Sequence, residues 1–311
     1  MKKHSAFTMI ELVMVIVVFG IVASIGAEIV ASLYKNYLRT RAINRLQSQT
    51  EIVLEQIAKR LQYRIKDSVR AIKPGSIVPL PSADGTYGTI EWIGISNESF
   101  LGEHDGVSVV PGWSGFIDMD SNNTKLATRT LETPGSRLDF ARDIILALTN
   151  GDVDMNNENG NLPALIFKNS KPLYNVNSYY SQGGGNYTVR VSKVAGANTR
   201  LHIPADDNLT DFDNDGVGSG DLFEQYYLSH TAYALVPVGN ASDFNLTLVY
   251  NYQPWQGETY TANGTTSVLS EHVSTFRIRQ EGDVVRIKLC IHDNNQSGDF
   301  DFSACKEKVI F

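Results

Sequence analysis

Cysteine is almost absent from this chain: among 311 residues only Cys290 and Cys305 occur. They stand near the C-terminus, separated by a polar loop, with no second pair and no histidine cluster at zinc-finger spacing. A single disulfide is the expectation. Such a bond places the chain in an oxidising compartment and pins its last residues. Histidine is also scarce, and His4, His104, His202, His230, His272 and His292 are dispersed along the sequence. No HExxH, nucleophile elbow or glycine-rich phosphate loop accompanies them. Catalysis therefore has no sequence support, and isolated histidines of this kind are expected at the surface or satisfied in a core. Basic residues are concentrated at one end. Residues 1–73 carry 12 Lys and Arg against 5 Asp and Glu, whereas residues 74–311 carry 15 against 29. The acidic remainder argues against nucleic acid as a partner. The apolar fraction of 42% is ordinary for a folded protein with a substantial core.

What is present is most distinctive at the start. Lys2 and Lys3 precede an apolar run that opens at Phe7, is interrupted by Glu11, and carries no charge from Leu12 to Ala27. Extended through Leu33, the run is long enough to cross a hydrocarbon core of about 30 Å as a helix, with the lysines left on the cytoplasmic side. No convincing small-residue cleavage site follows the run, so cleavage ahead of it is the better reading. Glu11 is a carboxylate inside an apolar helix, which is costly unless it is partnered.

The segment Ala6-Phe7-Thr8-Met9-Ile10-Glu11-Leu12 resembles the class III signal of type IV pilins and type II secretion pseudopilins, over roughly residues 1–35. The resemblance implies that a prepilin peptidase cuts between Ala6 and Phe7 and methylates the new amine of Phe7. It implies that Glu11 pairs with the N-terminal amine of an adjacent subunit and acts as an assembly latch. Ala6 departs from the family, which usually has Gly there, and slower or altered processing is expected. The implied partners are other pilin or pseudopilin subunits, the prepilin peptidase, an inner-membrane assembly platform and, before assembly, the lipid bilayer. The implied location is the inner membrane, single-pass with a periplasmic head, and then the filament.

Beyond the apolar run, Leu46, Val53, Ile57, Leu61, Ile65, Val69 and Ile72 recur at intervals of three, four or seven, which predicts one amphipathic helical face. Pro74-Gly75 is the expected stop. Three segments follow from this: a leader over 1–6, a transmembrane and stem helix over 7–73, and a head over 74–311. The head is dense in Gly, Asn, Asp, Ser and aromatic residues with short alternating runs, a β-rich composition. Candidate strands are Thr89–Ile95, Gly106–Val110, Ala164–Lys168, Tyr187–Val194, Tyr233–Pro237, Asn245–Tyr252, Val273–Gln280 and Asp283–Ile291, with Glu281-Gly282 as a hairpin turn. Residues 137–149 read as a helix capped by Asn150-Gly151. The fold class is α+β: a long N-terminal helix packed on an antiparallel, pilin-like head. A head of this size suits a low-copy subunit. Its β-rich composition and the phrase from Leu269 to Phe276 resemble the large J-type and W-type minor pilins.

Two acidic loops suggest calcium, a hard cation served by converging oxygens. Asp211, Asp213, Asp215 and Asp221 alternate before and around a glycine turn, as in the opening of an EF-hand loop. Leu222 occupies the position where that loop has its bidentate Glu, so Asp221 or Glu224 would close the shell. Asp293, Asn295, Asp299 and Asp301 form the second cluster, inside the Cys290 to Cys305 loop. Around Asp118-Asp120 and Asp152-Asp154, ordinary turns suffice. The favoured function is a structural subunit assisting assembly of a type IV pilus or type II secretion pseudopilus. The alternatives are an adhesive minor pilin whose head binds a surface or partner and, last, a membrane-anchored periplasmic enzyme.

Overall fold

Helix α1 runs without a break from Met9 to Gln62, 54 residues, a rod of about 80 Å at the usual helical rise. The computed structural model describes residues 8–101, 103–104, 108–168, 176–180, 188–207, 223–293 and 302–311. The helix stops short of the expected Pro74-Gly75 breaker, because the backbone after Gln62 pairs with a strand instead. Ile65 donates its N–H to the carbonyl of Ile93 at 2.9 Å, and Ile95 donates to the carbonyl of Tyr63 at 2.7 Å. Ile65 and Val69 keep the four-residue apolar period, but they are β-branched, and once sheet pairing is available their stiff side chains fit an extended backbone better.

Eight strands form one antiparallel sheet: β1 (Arg70–Lys73), β2 (Ser76–Pro79), β3 (Thr89–Ile93), β4 (Ala232–Asn240), β5 (Asp243–Tyr250), β6 (Thr265–Glu281), β7 (Val284–His292) and β8 (Ser303–Ile310). The order across the sheet is β8-β7-β6-β5-β4-β3-β1-β2. Chain neighbours are sheet neighbours from β4 to β8, the product of successive hairpins. The turn between β6 and β7 follows Glu281, which pairs with Val284, and Gly282 takes the positive φ of 59° that this tight connection requires.

The long strand β6 changes partner along its length. Residues 265–273 pair with β5 and residues 273–281 with β7, with register breaks on both sides of Val273. Between β3 and β4 the chain leaves the sheet and builds a second lobe with its own core around Trp113, Ile117, Leu138, Ile145, Phe167 and Leu201. This lobe holds helix α2 (Leu138–Leu148), ended as expected by Asn150 and Gly151 at φ 54° and 89°. It also holds two three-stranded sheets, one of Thr130–Glu132, Arg200–His202 and Ser192–Lys193, the other of Tyr226–Ser229, Ala164–Phe167 and Thr188–Arg190, and a two-stranded one of Glu103–His104 and Ser108–Val109.

The large sheet is covered on one face by α1. Leu54, Ile57 and Leu61 of the helix are buried with Trp92, Leu246, Leu248, Ile287 and Leu289. Its centre is covered on the other face too, where Ile93, Ala234 and Val249 pack with Ile166, Tyr252 and Trp255. Alternate residues of β3, β4 and β5 thus enter two different cores, the two-sided burial of a central strand.

Candidate functional site

The first turn of α1 is closed by Thr8 and Glu11. Thr8 sits at the N-cap with extended backbone. Its amide and its hydroxyl both donate to Glu11 Oε2 at 3.0 Å, and the Glu11 amide donates to Thr8 Oγ1 at 3.4 Å. This is a capping box, with the carboxylate placed at the positive end of the helix dipole. Two donors from its own chain thereby meet the requirement that an intramembrane carboxylate be partnered. The Thr-x-x-Glu spacing that signals a capping box is legible in the sequence, although the resemblance to pilins draws attention to a partner on another subunit instead. Ala6 and Phe7 lie outside the described residues.

The helix divides into two halves by surroundings. Residues 9–41 are exposed throughout, including Ile10, Val15, Phe19, Ile25 and Leu33. This half is long and apolar enough to cross a membrane. From Leu46 onward the stripe Leu46, Val53, Leu54, Ile57, Ala58 and Leu61 is buried under the head. Strand β8 follows the helix here, and Lys306 and Lys308 form ion pairs with Glu51 and Glu55. Two residues of strand advance about 6.8 Å and four of helix about 6 Å, so an i,i+2 pair of cations meets an i,i+4 pair of anions in step. The Lys306 ammonium holds the Glu51 carboxyl below its usual range. Farther toward the membrane, the Arg39 guanidinium lies over the Phe302 ring at 4.9 Å.

Strand β8 is tied to β7 by the expected disulfide. Cys290 and Cys305 are bonded and directly opposed in the ladder. Deeper in the head, Glu91 on β3 is 1% exposed. Arg70 Nε donates to it at 2.6 Å and the Tyr252 hydroxyl at 2.7 Å, while the Arg70 guanidinium lies over the Tyr180 ring at 3.5 Å. Burial raises the Glu91 pKa, and Arg70 and Tyr252 oppose that rise. With both carboxylate oxygens engaged by side chains of the packed core, this group joins β1, β3 and the loop after β5.

The acidic loops are placed only in part. Asp211, Asp213, Asp215 and Asp221 lie outside the described residues, as do Asn295, Asp299 and Asp301. Asp293 is described, and its amide donates to the carbonyl of Phe302 at 2.9 Å, closing the base of the second loop. Asp118 accepts the Asp120 amide at 3.1 Å, as in a simple turn. Asp154 takes Arg142 Nε and Nη2 at 2.7 and 2.9 Å, which keeps its carboxyl ionised at lower pH than usual.

The expectation of isolated histidines holds for His202, which faces Glu158, and for His230, which is buried with Nδ1 2.8 Å from Ser96 Oγ. It fails for His272 and His292. Their rings approach edge to face at 5.7 Å, and both turn toward Asp243. The hairpin brings them together: Val273 pairs with Ile291, so residues one step beyond on each strand are neighbours.

Residues 1–27 match the family model of the prokaryotic N-terminal methylation motif. No curated protein and no solved structure matches the chain.

Proposed function

We propose, from the premise that a prepilin-type motif followed by a long apolar helix supports the type IV pilin and pseudopilin family, that this chain is a minor pilin or pseudopilin assisting filament assembly. The observation that carries the reading is the division of α1. Its first half presents apolar side chains to the surroundings and its second half is built into the head. A helix of this kind is held by lipid before assembly and by neighbouring helices after it. In the proposal the chain sits in the inner membrane with its head in the periplasm, is cut between Ala6 and Phe7, is methylated on Phe7, and is drawn by an assembly platform into a filament. Glu11 then exchanges its intrachain partner Thr8 for the N-terminal amine of an adjacent subunit. Calcium is proposed for the loops carrying Asp211, Asp213, Asp215 and Asp221, and Asp293, Asn295, Asp299 and Asp301, on the strength of their alternating oxygen ligands.

The deciding experiment is the intact mass of the chain recovered from a cell that makes pili or a secretion pseudopilus. The expected species lacks residues 1–6 and carries one added methyl group, and it co-purifies with filament subunits. A native chain that still begins at Met1, unmethylated, removes the proposal.

A further inference from the structure

We propose that Asp243, His272 and His292 form a binding site for a divalent first-row metal ion of the zinc type. His272 Nδ1 lies 3.1 Å and His292 Nε2 lies 3.7 Å from Asp243 Oδ1. One ligand atom from each of the three residues falls within 4.8 Å of the others. Ligands held at about 2.0–2.2 Å around a tetrahedral ion are about 3.3–3.6 Å apart, so small side-chain rotations complete the set. Two imidazoles and one carboxylate suit zinc and its neighbours in the first transition row. Calcium and magnesium require more oxygen than this trio offers.

The backbone is arranged to hold these donors. His272 stands where β6 leaves β5 for β7, beside the register breaks that flank Val273. Its φ is +56°, a left-handed conformation that histidine adopts more readily than most residues but still uncommonly. An irregularity of this kind re-aims a side chain out of the regular pleat, and here it aims the ring at Asp243. His292 is fixed by the Cys290–Cys305 disulfide two residues away. Its Nε2 faces the carboxylate, and its Nδ1 is buried with no hydrogen-bond partner among the described residues. The Asp243, His272 and His292 side chains are 45%, 31% and 20% exposed, which gives an ion access from solvent and leaves the fourth position to water. Bound there, the ion would join β5, β6 and β7 at the point where β6 changes partner.

The test uses the full chain in detergent, without a histidine tag and after dialysis against chelator. Zn2+ is titrated calorimetrically, and Co2+ is followed by visible absorption. One saturable equivalent per chain and a tetrahedral cobalt spectrum are expected, with excess Ca2+ failing to displace either ion. His272→Asn keeps a residue that tolerates positive φ, and His292→Gln and Asp243→Asn keep polarity. Each should weaken Zn2+ binding by at least about tenfold and abolish the cobalt spectrum, while the melting temperature in chelator stays at that of the unsubstituted chain. Absence of saturable Zn2+ binding by the unsubstituted chain overturns the proposal. So does unchanged affinity in any one of the three variants that keeps its melting temperature.

Discussion

Cys290 on β7 and Cys305 on β8 face each other in the ladder with their Cα atoms 4.0 Å apart. Their bond ties an edge strand to the sheet at a separation of 15 residues, and the same edge strand runs beside the stem through Lys306 and Lys308. Closing a loop of this length removes freedom mainly from the unfolded chain, worth about 3 kcal/mol. The double substitution Cys290→Ser and Cys305→Ser should therefore lower the urea midpoint of the detergent-solubilised chain by a corresponding amount. Hydrogen exchange should rise first in β8. A midpoint that does not move would mean the ladder and the ion pairs alone hold that edge.

Glu11 has two donors on its own chain, so the single subunit can keep the group inside the membrane. Glu11→Ala should leave membrane insertion unchanged and reduce incorporation into filaments. If the glutamate meets a neighbour's amine in the assembled core, removing one member of that pair leaves the other charge uncompensated. Immunoblots of membrane and sheared filament fractions measure the two quantities separately, and normal filament entry by the variant would remove the latch.

Glu91 and Arg70 form an ion pair inside the head, with side-chain exposures of 1% and 12%. Deleting one partner of such a pair is far more damaging than the pair is worth, because the other charge stays behind. Glu91→Ala should destabilise the chain by about 3–5 kcal/mol. Glu91→Gln should cost less, since an amide oxygen still accepts the Tyr252 hydroxyl. Because burial raises the Glu91 pKa, the folded state holds that proton more tightly than the unfolded one. Its contribution to stability is then greatest below the unfolded value and declines as pH rises through the folded value. Denaturant curves of the unsubstituted chain and of both variants at pH 4 and pH 7 measure this. Equal losses for Ala and Gln would show that the charge, not side-chain packing, governs the position.

Much of this architecture is legible in the sequence because it depends on local pattern. The apolar run after Phe7, the stripe from Leu46 to Leu61, the α2 cap at Asn150-Gly151 and the β6–β7 turn each follow from neighbouring residues. The end of α1 is less legible, since Ile65 and Val69 satisfy a helical period and only long-range pairing with β3 decides against it. The second lobe is harder still, because strands of two to four residues are set by distant partners rather than by their own alternation. The His272–His292 contact occupies a middle ground. Once Glu281 is placed opposite Val284, counting back along both strands sets residue 272 opposite residue 293, and only the register break between Val273 and Thr275 moves it beside His292. No residue pattern announces that break or the two shifts in the β5–β6 register near Asp243.

Calcium, if it fills the acidic loops, is bound by the folded head and not by the unfolded chain, so it must stabilise the head by mass action. At a free concentration about a hundredfold above the dissociation constant the gain is about 2.7 kcal/mol. The melting temperature should rise with Ca2+ and fall with a calcium-selective chelator, and Asp213→Asn with Asp215→Asn should blunt the response of the first loop. A transition indifferent to both additions would count against calcium in these loops. Zn2+ responses of the same samples should persist, because Asp243, His272 and His292 are not among the oxygen ligands proposed for calcium.

His230 supplies a separate acid response. It is buried with Nδ1 beside Ser96 Oγ, its carbonyl accepts Gln253 Nε2 at 3.1 Å, and burial pulls its pKa from 6.5 down to about 4. The folded state therefore holds the ring neutral at pH values where the unfolded chain already binds a proton. That contribution is complete above the unfolded value near 6.5 and is lost progressively as pH falls through the folded value near 4, a difference of about 3 kcal/mol. His230→Gln removes the titrating group while keeping a polar side chain at the Ser96 contact. Urea midpoints of the two chains measured from pH 7.5 to pH 4 should converge or cross as the unsubstituted chain loses this increment. Curves that stay parallel over the whole range would mean that the ring is protonated in the folded head as readily as in the unfolded chain.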